Sequence, residues 1–138
     1  MFSADIASSK KSYKKLEPRI KTMTIKLLNL TKKSSFFVSV YLVDNTTMRN
    51  LNRRHRRQNK VTNVLAFPAP KDFRLPPKTP NALGEIYLAP DYIKKEGADP
   101  ILLLVHGFLH LLGFDHIKKN DRIKMENLEA RLLNKTKS

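Results

Sequence analysis

The spacing of apolar residues predicts alternating helices and strands along most of the chain. Apolar residues recur every three or four positions over 14–30, which is typical of an amphipathic helix with Pro18 in its first turn. The segment 36–43 is rich in β-branched and aromatic residues and predicts a buried strand. Asp44 then favours the start of a second helix. Residues 1–12 show no convincing pattern, and we expect them to be loose.

The second half of the chain continues this alternation. Five of the eight prolines fall within 68–80, which predicts a long irregular loop. The other predicted elements are a strand over 61–67, a strand over 82–88, a short helix over 91–97, a helix from Asp99 to Leu112 and a final helix beyond His116. Helices and strands in this order predict an α/β or α+β domain with a small mixed sheet packed against helices. The periodicity does not fix the order of the strands.

Composition limits the class of protein. With 138 residues, 41% of them hydrophobic, the chain is long enough for one domain with a core, over 1–138. The sequence has no cysteine, which excludes a thiolate metal site and fits a reducing compartment. Its apolar runs are too short for a membrane span, and the N-terminus lacks the apolar stretch of a secretion signal. We therefore expect a cytoplasmic protein with no membrane partner.

The charge of the chain points to a polyanionic partner. A net charge of +15, from 27 basic and 12 acidic residues, favours nucleic acid. The segment 49–60 has no acidic residue and contains a dense basic cluster: Arg49, Arg53, Arg54, Arg56, Arg57 and Lys60. Basic runs are often only solvated surface, but an arginine cluster without counter-charges indicates phosphate binding. Few aromatic residues lie between the arginines, so base stacking on this segment is not suggested.

Three of the four histidines fall within residues 106–116. His106 and His110 are four positions apart and therefore share one face of a helix, whereas an unbroken helix would carry His116 off that face. Gly113 can adopt the left-handed conformation that ends helices, which allows the chain to turn and bring His116 back. Three imidazoles arranged in this way predict a zinc-type site with an open position for water or substrate. The alternative is that the histidines are hydrogen-bonded residues of the core.

The residue after the first histidine limits the chemistry of such a site. The three-histidine spacing is that of metzincin peptidases, in which a glutamate directly after the first histidine is the general base. Gly107 occupies that position here and cannot accept a proton. Peptide hydrolysis is therefore disfavoured unless another carboxylate, such as Glu85, is the base. Phosphodiester cleavage is the better hypothesis, because stabilisation of charge in the transition state contributes much of its acceleration.

Three segments of the chain resemble one protein family. Residues 106–116 read H-G-F-L-H-L-L-G-F-D-H. This closely resembles the motif H-G-x-L-H-L-x-G-Y-D-H of the YbeY-type rRNA maturation factors, which are single-strand-specific endoribonucleases. Residues 51–56 and 62–68 look like the family's L-N-x-x-Y-R followed by T-[DN]-V-L-S-F-P, and residues 83–86 are similar to its L-G-D-I. The segments occur in family order, and the resemblance covers most of the chain.

The resemblance implies a site and a function. It implies one zinc ion per chain on His106, His110 and His116, although other imidazole-preferring divalent ions fit these ligands. It also implies that Arg56 is the family's essential arginine, a guanidinium fork suited to phosphate; spacing alone does not separate Arg56 from its arginine neighbours. The implied activity is metal-dependent cleavage of single-stranded ribosomal RNA. That cleavage would serve maturation of the 3′ end of small-subunit rRNA and ribosome quality control, with the ribosome as partner and no inferred specificity for DNA.

Some positions depart from the family pattern or stay open. His55 replaces the usual tyrosine and is better read as a surface residue than as a fourth ligand. Asn59 replaces a common acid, and Glu85 is either a site carboxylate or an ordinary charge at a strand end. Asp115 either orients an imidazole or stabilises the turn after the helix. A noncatalytic RNA- or ribosome-binding factor with a structural metal is the main alternative function, and a metallopeptidase is the weaker one.

Overall fold

A computed structural model describes residues 4–70, 81–114 and 119–136. The helices in these ranges are α1 (Glu17–Leu30), α2 (Asn45–Arg56), α3 (Pro90–Glu96), α4 (Pro100–Leu111) and α5 (Lys119–Thr136), and a 3-10 helix (Lys11–Leu16) precedes α1. The strands are β1 (Ala4–Ser8), β2 (Phe36–Leu42), β3 (Val64–Pro68) and β4 (Asn81–Leu88). These elements confirm the predicted alternation, with β3 starting three residues later than the pattern suggested. Most of the predicted proline-rich loop lies outside the described residues.

The four strands form one mixed sheet in the order β1-β2-β4-β3. β1, β2 and β4 run parallel to one another, whereas β3 runs antiparallel to β4 at the sheet's edge. Parallel neighbours need a crossover connection, which α1 supplies between β1 and β2. The sheet and its helices confirm the predicted α/β class, and they set the strand order that periodicity left open.

The main core lies between one face of the sheet and α1 and α4. Val40 of β2 and Ile86 of β4 are fully buried on that face, together with Leu27 of α1 and Phe108 of α4. α4 contacts β3 and β4 on one side and α1 and α5 on others, which explains why this helix is apolar almost all round. Among the described residues, no helix is both long and apolar enough to cross a lipid bilayer.

The prediction of a loose N-terminal segment is wrong for residues 4–12. β1 pairs in parallel with β2, with Ala4 opposite Val38, and Ala4 is 1% exposed. The Ser8 hydroxyl also donates a hydrogen bond to the Glu17 carboxylate. The segment contains few apolar residues, so its strand depends on pairing with a distant partner rather than on a local pattern.

Asp44 begins α2, as the sequence predicted. The main-chain N–H of Thr47 donates to the Asp44 carboxylate at 2.8 Å, and Asp44 has the extended backbone of an N-cap residue. Hydrogen bonds from the Thr47 side chain and then from its N–H hold the pKa of Asp44 below its usual value. The ionised carboxylate is therefore the form that stabilises the fold.

Replacing Asp44 with alanine is expected to lower the free energy of unfolding by about 1 kcal/mol at neutral pH. Because the folded pKa is lowered, this contribution is present above the unfolded pKa of about 3.9 and is lost as the pH falls through the folded pKa. Urea unfolding of wild type and Asp44→Ala at neutral and acid pH measures both effects. Asp44→Asn retains a capping side chain and is the control. Equal stability of wild type and Asp44→Ala at neutral pH would contradict the role of the cap.

Candidate active site

A cleft opens between the C-terminal end of α2, the edge strand β3 and the helix α4. Its volume is about 310 Å³. Polar and charged side chains come from α2 and the segment after it, the edge strand forms a second wall, and α4 supplies two histidines. The lining residues are Asn52, Arg56, Gln58, Lys60, Thr62, Asn63, Val64, Leu65, Ala66, His106, Gly107 and His110. The cleft therefore brings together parts of two sequence segments about fifty residues apart.

His106 and His110 form a pair on one face of α4, as their spacing predicted. Their rings pack edge to face with centroids 4.8 Å apart, and the two Nε2 atoms are 3.2 Å apart. Two nitrogens that each lie about 2.05 Å from one tetrahedral zinc ion are about 3.3 Å from one another. The observed separation therefore suits two ligands of a single ion, and it allows a hydrogen bond between the rings only when one Nε2 carries a proton.

The turn after α4 orients His110. Its Nδ1 lies 3.0 Å from the carbonyl oxygen of Phe114, which can only accept a hydrogen bond. Nδ1 therefore carries the proton, and in a neutral ring Nε2 is left with a lone pair directed toward His106. Gly113, with φ of 100°, makes the turn that returns Phe114 to the helix. The predicted break at this glycine is confirmed.

Glu129 of α5 lies near Nδ1 of His106, the ring nitrogen that does not face His110. Its Oε2 lies 3.6 Å from His106 Nδ1, and the two side chains are 22% and 34% exposed respectively. Burial, and then the charge of Glu126, raise the pKa of the Glu129 carboxyl. A carboxylate here favours a proton on Nδ1 and so leaves Nε2 of His106 available, the usual arrangement around a metal-bound imidazole. Sequence reasoning missed Glu129, because nothing in the spacing of α5 indicates its contact with α4.

The third predicted ligand, His116, and its neighbour Asp115 lie outside the described residues. Within the described ranges, no group of three histidine, cysteine or acidic side chains is arranged to hold a metal ion. The structure thus brings two of the three predicted ligands together, and the three-histidine metal site stays a prediction.

Arg56 lines the same cleft as the histidine pair. It is the last residue of α2, and Arg57 ends the helix in a left-handed conformation with φ of 56°. Arg53, Arg54 and Arg57 are not among the lining residues. The fold therefore separates Arg56 from the other arginines of its cluster, which spacing alone could not do.

Gly107 packs closely against the sheet. A Cβ atom added at this position would be 3.2 Å from Cγ2 of Val64 and 3.2 Å from Cγ2 of Ile86. Those contacts are tighter than ordinary van der Waals packing, so even alanine would require these side chains to give by a few tenths of an ångström. The Cβ of a glutamate would meet the same crowding, which disfavours a peptidase base at this position.

Glu85 and His55 lie on the other face of the sheet. Ile86 faces α4, so its neighbour Glu85 points to the opposite face, where its carboxylate accepts a hydrogen bond from the Tyr87 hydroxyl at 2.8 Å. The His55 ring packs against Phe67 with centroids 4.9 Å apart. Both residues line a separate groove rather than the cleft that holds the histidine pair. Glu85 is therefore poorly placed to replace the missing base.

The fold and the cleft define a small α/β protein with two adjacent histidines and an arginine around one basic pocket. A family model described as Endoribonuclease YbeY matches residues 3–137, nearly the full chain. The chain belongs to the Endoribonuclease YbeY family.

Individual relatives agree with this assignment. Endoribonuclease YbeY of Chelativorans sp. (strain BNC1) is 41% identical over 104 residues, which cover 70% of this chain and 63% of that protein. Endoribonuclease YbeY of Pelagibacter ubique (strain HTCC1062) is 34% identical over 139 residues, covering 91% of this chain and 90% of that protein. A solution structure from Thermotoga maritima has a TM-score of 0.56 and 26% identity, and the match covers 97% of this chain and 91% of that one. The chain thus spans somewhat less than two-thirds of the Chelativorans protein, and nearly all of the other two.

Proposed function

We propose that this protein is a metal-dependent endoribonuclease that cuts single-stranded RNA. The observation that carries the proposal is that Arg56 lines the same cleft as His106 and His110. A cationic side chain suited to phosphate and two side chains suited to a metal ion thus line one cleft. The relatives named Endoribonuclease YbeY support the same activity.

His106 and His110 would hold the metal, with His116 as the third ligand that the motif predicts. These residues would hold a zinc-type ion, which would supply a water of lowered pKa and polarise a phosphate oxygen. The Phe114 carbonyl accepts a hydrogen bond from His110 Nδ1, and the Glu129 carboxylate lies 3.6 Å from His106 Nδ1, so both contacts favour a proton on Nδ1. This outer set of contacts reduces the reorganisation that metal binding requires.

Arg56 would bind the phosphate at the bond that is cut. Its guanidinium donates parallel hydrogen bonds to two phosphate oxygens and keeps its positive charge beside another cation. The negative charge on those oxygens is countered as it develops in the transition state. Lys60 supplies a second cation in the same cleft, and the amides of Gln58 and Asn63 line it as well. A basic cleft with amide groups suits an RNA strand better than a peptide.

Two observations weigh against the peptidase alternative. The position of the general base is a glycine packed against the sheet, and Glu85 lies on the opposite face. The noncatalytic alternative requires a closed structural metal site, in which all four ligands come from the protein. The His106 side chain is 34% exposed and lines an open cleft, which favours a site with a position left for water or substrate.

The decisive experiment compares RNA cleavage with and without bound metal. Protein loaded with stoichiometric zinc is expected to cut an end-labelled single-stranded RNA internally and to leave the paired stem of a hairpin intact. Chelation should abolish cleavage, and added zinc should restore it. RNA left intact by the loaded protein would favour the noncatalytic factor, whereas cleavage of a peptide substrate would favour a peptidase. His110→Ala, purified in parallel, controls for contaminating ribonuclease.

The natural substrate proposed here is the 3′ end of small-subunit ribosomal RNA. Action there and in ribosome quality control would place the protein on the ribosome in the cytoplasm. Support comes from the family and from the net charge of +15, which suits a particle rich in phosphate. Accumulation of unprocessed small-subunit rRNA in cells that lack the protein, with recovery on expression of wild type, would test this role.

A further inference from the structure

Asn52 is a buried polar residue at the edge of the cleft. It is 4% exposed, on the side of α2 that faces the cleft, one turn before Arg56. Among the described residues only Asn52 and Thr24 are buried and polar. Thr24 bonds to its own helix, with its hydroxyl donating to the Ile20 carbonyl at 2.7 Å. Asn52 instead bonds outside its helix, which indicates a role beyond filling the core.

Asn52 attaches the segment after α2 at two points. Its side-chain Nδ2 donates to the carbonyl oxygen of Lys60 at 2.9 Å. Its own carbonyl oxygen accepts from the main-chain N–H of Gln58 at 3.3 Å. Between these points the chain reverses at Arg57, which has a left-handed backbone. The segment 57–60 is thus folded back against the helix, and Asn52 makes two of the bonds that hold it, beside the bond from the Arg57 main-chain N–H to the Arg53 carbonyl at 3.1 Å.

The residues held in this way face the cleft. Gln58 and Lys60 both line it, together with Asn52 itself and Arg56. The segment 57–60, which includes the turn residue Arg57, is exposed, so few apolar contacts fix its conformation. Without the hydrogen bond from the Asn52 side-chain amide, the segment 57–60 would gain conformational freedom that RNA binding would then have to remove.

We infer that Asn52 is a positioning residue that holds Lys60, and the turn that starts at Arg56, in the geometry needed to bind RNA phosphates. This inference rests on the proposed function, because it concerns the residues that would bind phosphate in that site. Asn52 contacts the Lys60 carbonyl rather than the ammonium group, so it acts through the main chain. The amide is required as a donor: leucine fills a similar volume but cannot bond to the carbonyl, and aspartate presents only acceptors when ionised.

The test compares Asn52→Leu with Asn50→Leu, the same change at an exposed position of the same helix. For Asn52→Leu we expect the KM for single-stranded RNA to rise about tenfold or more, with a smaller effect on kcat, because a phosphate contact is misplaced. The slope of log affinity against log salt should fall by about one, as for the loss of one phosphate contact. Asn50→Leu should match wild type in both measurements.

A second comparison separates positioning from general stability. Lys60→Ala alone should reproduce the fall in salt slope, and adding Asn52→Leu to it should lower the slope no further. If Asn52 only stabilised the fold, Asn52→Leu would lower the Tm but leave KM and salt slope unchanged well below the Tm. That result, or two additive losses of slope, would overturn the inference.

The role of Asn52 and the proposed nuclease activity can fail separately. RNA affinity is measured in the presence of a chelator, so the salt slopes are obtained whether or not the protein cuts RNA. Wild type that binds RNA but never cuts it would refute the nuclease, while the slopes would still decide the role of Asn52. If Asn52→Leu does not fold, Asn52→Asp against Asn50→Asp gives the same comparison at matched charge.

Discussion

Replacing His110 with alanine is expected to remove the bound metal and reduce RNA cleavage to the background rate. His110 and His106 present their Nε2 atoms 3.2 Å apart, and loss of one leaves too few ligands to retain the ion. The fold should survive, because the substitution removes one partly buried hydrogen bond to Phe114, a loss of about 1 kcal/mol in the free energy of unfolding. Metal content by mass spectrometry, cleavage rate and Tm measured on one preparation separate these effects.

His55→Ala is the matched control, since it removes the histidine that packs against Phe67 in the separate groove. It should retain both metal and cleavage. A His110→Ala protein that still binds one metal ion and still cuts RNA would show that the site lies elsewhere.

Replacing Arg56 with alanine is expected to lower the rate of RNA cleavage about a hundred- to a thousandfold, with metal content unchanged. The reason is that Arg56 would stabilise charge that develops on the phosphate in the transition state, where one lost donor has an effect of about this size. Single-turnover cleavage at saturating protein measures this rate apart from binding. Arg56→Lys keeps the charge but not the planar fork, so it should recover only part of the lost rate.

Two other arginines provide the comparison. Arg54→Ala removes the same charge from the same helix at a residue outside the cleft lining, and it should weaken RNA affinity modestly without a change in the single-turnover rate. Arg19→Ala, on α1, removes an exposed charge and should behave as wild type. Equal losses of rate for Arg54→Ala and Arg56→Ala would mean that general charge, rather than a placed guanidinium, assists the reaction.

Much of the fold was predictable because its signals are local. Asp44 and Asp99 each cap a helix through a hydrogen bond to a residue two or three positions on, and such pairs can be read from short sequence segments. β1 was missed because its stability comes from pairing with β2, about thirty residues away. The antiparallel position of β3 at the sheet edge also depends on contacts between distant segments, which periodicity does not record.

The same distinction applies to the candidate site. The histidine pair follows from a spacing of four on one helix, and the break at Gly113 follows from the freedom of glycine. The contact of Glu129 with His106 joins two helices, and the bond from Asn52 to Lys60 depends on how one turn folds back. Neither contact leaves a periodic signal. Arg56 was selected by family resemblance, and the structure adds the reason that this arginine, and not its neighbours, lines the cleft.

The close approach of α4 to the sheet restricts which reactions this scaffold can reach by mutation. Because a Cβ at Gly107 would already crowd Val64 and Ile86, a glutamate there would press on these two side chains and favour a shift of the helix away from the strands. That movement would displace both histidines, which lie on either side of Gly107 along the same helix. A base introduced by that one substitution would therefore come at the expense of the geometry of the histidine pair. Room for such a base would have to come first from smaller side chains at Val64 and Ile86, so the history of this helix position is tied to that of two strands.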